Sequence, residues 1–276
     1  LIYVRLTNGF GNNLFQYNAA MLLASRHDTG VIAVAPNKDY YGIKPLQNLG
    51  VKFGNIPSSG VMPVNGDSEF LNCFRQENLQ KNILLSGYFE DYRFYVPARE
   101  KIKSWFPKFE KRTNNDLVVH LRTGDRLFMK NEFYLKPRAC DYIKAIDQFE
   151  FEQLHIVTDM PCWKILTAPE LENIKFHTNV PKDKSVDLQE SVDYFNSFVN
   201  EFERYKPLVH NNDVEKDFTF IRTFDNIMFE HGTLSWWAAF LSDASRVGVY
   251  GPWRPWKGAS NKNLSNVPLK GWFKWT

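Results

Sequence analysis

Cysteine is scarce in this chain: Cys73, Cys140 and Cys162 are its three, far apart and with no C-x-x-C pair. An odd, scattered set cannot close into a disulfide framework and lacks the spacing of a structural zinc site. Long basic blocks are missing too. The net charge is +3 and the isoelectric point near 8.6, spread evenly, so the electrostatic footprint of a nucleic-acid binder is absent. A small anionic ligand is enough to account for the mild basic excess. No apolar run reaches the ~18–20 residues that span a bilayer, so no membrane segment is expected. No D-x-D pair occurs either. Hard cations want clustered oxygens, so an anionic ligand bound here is expected to be held without a metal or other cofactor.

What the chain does have is the alternation of an α/β protein. At 276 residues it has room for one large domain or two smaller ones. The opening reads as a strand over 2 to 6, a Gly/Asn turn from Thr7 to Asn13, a helix from Leu14 to Arg26, and a strand from Val31 to Ala35. Residues 38 to 75 show no clear period and read as loops and short elements. A strand follows at Ile83 to Phe89, then a helix and charged tail from Lys101 to Lys111. Lys111 to Asn115 is the best linker candidate, which places the domains at 1–114 and 115–276. The alternation then resumes: strands at 117 to 121 and Leu154 to Val157, a helix at Cys140 to Asp147, and a charged stretch at 182 to 216 with no strong strand signal. A short helix at Asp217 to Phe224, a strand at Asn226 to Phe229, a helix through Trp236 to Leu241 and a strand at Val247 to Tyr250 complete it. Such alternation indicates parallel sheets covered on both faces.

Three strand ends carry chemistry. Val118 to Leu121 runs apolar and then delivers His120, Arg122, Thr123 and Asp125 to the edge where open α/β sheets bind ligands. A guanidinium there suits a phosphate ester, although an Arg and an Asp pairing with each other in a loop reads equally well from these residues alone. The turn around Gly9, Gly11 and Asn12 joins a strand to a helix start, where converging amides favour an anion or sugar hydroxyls, or simply make a turn. A dinucleotide fingerprint would need glycine where Leu14 stands. The segment Gly232-Thr233-Leu234-Ser235 repeats the arrangement with hydroxyls and amides at a helix start; most such hydroxyls are caps only.

Taken together, these residues resemble the α-1,2-fucosyltransferase family, glycosyltransferase family 11, and through it the α-1,6- and protein O-fucosyltransferases. The family's opening G-x-L-G-N-Q-x-F-Q-Y-A is similar to Gly9 through Asn18, its G-Y-F-Q-x-Y to Gly87 through Tyr92, and its H-x-R-R-x-D to His120 through Asp125. An L-D-Y-Y-x-x-A-I helix resembles Ala139 to Ile146, S-D-D-x-x-W resembles Thr158 to Trp163, and N-S-T-F-S-W-W-x-A-W-L resembles His231 to Leu241. The six matches keep their order and cover most of the chain. Two departures stand out: Thr123 replaces the second arginine, and Asn13 replaces the glutamine after Asn12.

The resemblance implies a GT-B fold, two Rossmann-like domains facing across a cleft. It implies inverting, metal-independent transfer of L-fucose from GDP-fucose to a glycan hydroxyl, with α-1,2 linkage. Carried over, Arg122 grips the β-phosphate and His120 lies against the nucleoside. Thr233 and Ser235 bond the diphosphate with Leu234 between them, and Asp217 meets the guanine edge. Gly9, Gly11 and Asn12 face the fucose and pyrophosphate from the other domain. Asp125 is a candidate base, with Glu132 and Glu90 able to reach a hydroxyl from nearby. Alternatives are another GDP-sugar on the same fold, or a non-catalytic carbohydrate-binding relative. The chain opens on a strand without an initiating Met, as expected of one domain of a longer polypeptide. It is expected to be soluble and cytoplasmic, or a lumenal Golgi domain cut from its anchor, and its partners are GDP-fucose and a glycan.

Overall fold

The strand periodicity resolves into two parallel sheets, one in each of two units, Leu1–Lys108 and Phe109–Thr276. The computed structural model describes residues 1–7, 9–79, 81–129, 137–176, 185–230, 232–251 and 269–276. Among these, no helix is long and apolar enough to cross a membrane. The division falls at Lys108/Phe109 rather than at 114/115 because the supposed linker is tied down. The Phe109 ring lies under the Arg222 guanidinium at 4.5 Å, Arg112 N–H donates to the Thr223 carbonyl at 2.8 Å, and Lys111 pairs with Asp225 at 2.5 Å. The expected helix at Lys101 to Lys111 is correspondingly short.

In the first unit, β1 (Ile2–Arg5), β2 (Val31–Val34), β3 (Val61–Val64) and β4 (Asn82–Leu85) stand in the spatial order β2-β1-β4-β3, all parallel. They are accompanied by α1 (Phe10–Arg26), α2 (Ile43–Asn48), α3 (Asp67–Arg75) and α4 (Arg99–Lys103). The stretch 38 to 75, expected as loops and short elements, contains one strand and two short helices. Strand β3 hides its nature behind Pro63, a residue tolerated because the strand lies at the sheet's edge. Helix α1 begins at Phe10, not Leu14, so Gly11, Asn12 and Asn13 are helical and the turn shrinks to Gly9. Gly9 takes φ +98, a conformation that L side chains rarely adopt.

Helix α1 is buried along most of its length, and one residue fits badly. Asn18 is wholly buried, and neither its amide nitrogen nor its oxygen has a hydrogen-bond partner among the described residues. A desolvated, unpaired amide costs about 1–3 kcal/mol, and alanine is also the better helix former by about 0.5 kcal/mol. Asn18→Ala is expected to stabilise the first unit by about 1–2 kcal/mol once a small cavity is allowed for. The measurement is a urea midpoint displaced upward at unchanged slope.

The second unit orders its strands β10-β9-β8-β5-β6-β7, again all parallel. These are β5 (Leu117–Leu121), β6 (Leu154–Thr158), β7 (Leu208–His210), β8 (Asn226–Phe229), β9 (Arg246–Tyr250) and β10 (Trp272–Trp275). Numbered within the unit this is the doubly wound 3-2-1-4-5-6 order, whose direction of winding reverses between β5 and β8. The helices are α5 (Ala139–Ile146), α6 (Ala168–Asn173), α7 (Leu188–Phe202), α8 (Val214–Arg222) and α9 (Thr233–Leu241). Strand β5 is where the apolar run places it. Helix α7 and strand β7 occupy the charged stretch that showed no strand signal; Val192, Phe195, Phe198 and Phe202 form the buried stripe of α7. The aromatic end of the chain supplies β10, whose Trp275 ring packs against Tyr142 at 4.7 Å. From Ser235 onward α9 is buried on every side, and Trp236 stacks on Phe240 at 4.7 Å. A helix apolar all round belongs inside.

Candidate functional site

The winding reverses between β5 and β8, and the carboxyl edge at such a point is where open α/β sheets bind ligands. His120 and Arg122 stand at the end of β5, and α9 starts shortly after β8. The Ser235 hydroxyl and His120 Nδ1 are hydrogen-bonded across this point, 115 residues apart in sequence. Burial lowers the His120 pKa to about 4; the pull of Glu230 opposes it, and Arg122 and Arg126 reinforce it. The imidazole is therefore neutral at physiological pH, and Arg122 is close enough to act on it.

The loop carrying Arg122 is held from the neighbouring strand. Asp159, just past β6, accepts from the backbone N–H of Thr123 at 2.9 Å and of Gly124 at 2.6 Å. The Thr123 and Thr158 hydroxyls share a bond of 3.0 Å. A Cβ on Gly124 would stand 2.6 Å from an Asp159 carboxylate oxygen, so the close approach needs glycine. Thr123, wholly buried, thus replaces a motif arginine with a group that fastens the loop to β6.

Beneath lies an ion pair that the sequence reading missed. Arg126, in the short 3-10 turn Asp125–Phe128, meets Glu230 at 3.4 Å with side chains only 4% and 2% exposed. Glu230 follows directly on β8. The carboxylate directly after Ile227, Met228 and Phe229 marks Glu230 in the sequence, but nothing there pairs it with Arg126.

Further along the same edge, Asn211 Nδ2 donates to the Thr158 carbonyl at 2.9 Å and Asn212 Nδ2 to Asp217 at 3.0 Å. Asp217, in the first turn of α8, is buried. That burial raises its pKa to about 6; the Asn212 hydrogen bonds oppose the rise, and Asp159 and Asp213 add to it.

The structure thus brings His120, Arg122 and Ser235 together at the reversal point, with Asp217 further along the same edge. Thr233 and Leu234 are half-buried at the start of α9. Ser235, the third residue of α9, is wholly buried and its hydroxyl is hydrogen-bonded to His120 Nδ1 at the end of β5. His231, Glu132 and the Asp125 side chain lie outside the described residues.

Gly9, Gly11 and Asn12 lie in the first unit, after β1. The expected open turn is corrected here, since Gly11 is buried within α1. The residue where the motif has glutamine, Asn13, donates to the Thr7 carbonyl at 2.7 Å and accepts from the Tyr40 hydroxyl. Gln16 accepts from Thr7 N–H at 3.1 Å and donates to the Gly87 carbonyl at 3.0 Å. These buried amides satisfy the strand end, which lets the helix start at once. Among the described residues no group of three or more His, Cys, Asp or Glu could hold a metal ion.

No protein-family model matches the chain, and no curated protein matches it. Among solved structures, it is similar to an α-1,6-fucosyltransferase, NodZ, soaked with GDP-fucose, at 12% identity and TM-score 0.45, over 89% of this chain and 93% of that one. NodZ from Bradyrhizobium is similar at 12% identity and TM-score 0.41, over 89% of this chain and 94% of that one. An iron-containing dodecameric glycosyltransferase, TibC, from enterotoxigenic E. coli is similar at 9% identity and TM-score 0.42, over 94% of this chain and 62% of that one. The α/β class stands on the two parallel sheets themselves.

Proposed function

We propose that this protein is a fucosyltransferase of GT-B type that moves L-fucose from GDP-fucose to a glycan hydroxyl with inversion, in α-1,2 linkage and without a metal. The observation that carries the reading is the placement of Arg122 beside a neutral His120–Ser235 pair at the reversal point of a doubly wound sheet. The ordered motif resemblance supports it. The second unit takes the donor. Arg122 and the start of α9, with Thr233 and Leu234, receive the diphosphate, His120 lies against the nucleoside, and Asp217 accepts from the guanine edge. The first unit, with Gly9, Gly11 and Asn12, serves the fucose and the acceptor.

In the reaction, the acceptor oxygen bonds to the anomeric carbon as the carbon–oxygen bond to the β-phosphate breaks. The electron pair of that bond leaves on GDP, and the hydroxyl proton goes to a carboxylate. Charge grows on the β-phosphate as the bond breaks, so a fixed guanidinium binds the transition state better than the ground state. Asp125, on the loop of Arg122, is the candidate for the proton, with Glu132 and Glu90 as the alternatives. Of these, the Glu90 carboxyl is pushed up to about 7 by burial, within the range that suits a base near neutral pH.

The test is incubation with GDP-fucose and a panel of mono- and disaccharides, following GDP release and reading the product linkage by NMR. GDP-mannose and GDP-rhamnose serve as rival donors. Transfer from either rival alone overturns the fucose reading, GDP binding without any transfer supports a non-catalytic relative, and activity lost to a chelator overturns metal independence.

Asp217 adds a pH signature. Its carboxyl pKa is raised, so the group is charged at pH 7 and protonates as the pH falls through about 6. An acceptor for guanine is lost on protonation, and GDP affinity is expected to decline below pH 6. Asp217→Asn is expected to bind GDP weakly and with a flatter pH dependence. For folding the sign is opposite: a raised carboxyl pKa favours the native state below the unfolded pKa and loses that advantage as pH rises through 6, so the variant is more stable at neutrality. Calorimetric GDP titrations and thermal scans between about pH 5 and 8 check both.

A further inference from the structure

The first unit has a cavity of about 470 Å³ lined by Arg5, Leu6, Thr7, Ala35, Pro36 and Tyr88. These residues come from the carboxyl ends of β1 and β2 and from the loop after β4, where this sheet's own strand order reverses. The volume lies within the range of small-molecule sites.

Two of its side chains are held out for use. Arg5 is exposed at the last position of β1, and no described residue pairs with it. The neighbouring backbone needs nothing from it, because Leu6 N–H bonds the Val34 carbonyl and Thr7 N–H bonds Gln16. Tyr88 is 46% exposed although both its neighbours are fastened. The Gly87 carbonyl is taken by Gln16, and the Phe89 carbonyl accepts from the buried Tyr95 hydroxyl at 2.5 Å. Phe89 itself takes φ +52, a left-handed conformation unusual for a bulky residue. A strained, anchored loop that leaves an aromatic ring in solvent is displaying that ring.

We propose that this cavity is an acceptor subsite for a sugar bearing a carboxylate, such as a uronic acid. The ring's apolar face packs on Tyr88, the carboxylate is gripped by the Arg5 fork, and Thr7 contributes a hydroxyl. A guanidinium pairs two parallel N–H donors with a planar carboxylate, which a neutral hexose cannot match. The term acceptor rests on the transferase reading; the sugar site itself does not.

The probes are glucuronic acid and glucose, titrated by saturation-transfer NMR against the full chain, with GDP titrated separately. Wild type is expected to bind glucuronate at least tenfold more tightly than glucose. Arg5→Met is expected to bring the two sugars within about twofold, Arg5→Lys to keep part of the preference, and Tyr88→Ala to weaken both. GDP affinity and the thermal midpoint should stay unchanged in all three. Equal binding of the two sugars by wild type, or a preference that survives Arg5→Met, overturns the proposal. Failure of GDP to bind overturns the transferase reading instead, and the two results are read independently.

Discussion

Replacing Arg122 by alanine is expected to lower the proposed fucosyl transfer by about 30- to 1,000-fold, or about 2–4 kcal/mol of barrier, with the fold intact. The reasoning starts from position. Arg122 is half-buried immediately beyond β5 and acts on the neighbouring imidazole. Its loop is fastened through the backbone amides of Thr123 and Gly124, which both donate to Asp159. Removing the side chain removes a charge and leaves those two backbone bonds in place. Because the β-phosphate charge grows only as the glycosidic bond breaks, the loss should fall mostly on kcat, with a smaller weakening of GDP binding. Arg122→Lys should recover part of the rate, since it keeps the charge and loses the fork. Steady-state kinetics and GDP calorimetry on both variants check this. Unchanged turnover in Arg122→Ala would remove the residue from the mechanism.

Arg126→Met is expected to destabilise the second unit by about 3–5 kcal/mol. Both members of the Arg126–Glu230 pair are almost fully buried, so truncating one leaves the other's buried charge without this partner. Removing both together, as Arg126→Met with Glu230→Gln, should restore most of the loss, because no buried charge is left uncompensated. Denaturant unfolding of the two singles and the double closes the cycle. A double variant as unstable as the sum of the singles would mean that the partners act separately.

Strand β5 was legible because five apolar or half-buried positions in a row end in a polar cluster, and β8 and α9 for the same reason. The start of α1 was not. Its N-cap is Gly9, which offers no side-chain hydrogen bond, so the usual Ser, Thr, Asp or Asn signal is missing. Strand β7 was invisible because three residues on an outer position, with Leu208 exposed, carry almost no pattern. In the site, His120, Arg122 and Ser235 could be read from their places at element ends. The Arg126–Glu230 pair could not, since it depends on two segments 104 residues apart meeting in space. The Arg5 cavity is likewise assembled from separate strand ends, each unremarkable alone.

The clasp of Asp159 on the amides of Thr123 and Gly124 has one further meaning. A loop whose shape is settled when the chain folds has little entropy left to surrender when a ligand arrives, so the cost of ordering is met before the encounter. Recognition at this edge then works by selection among ligands for a ready template, and tight discrimination needs no closing motion of the loop itself.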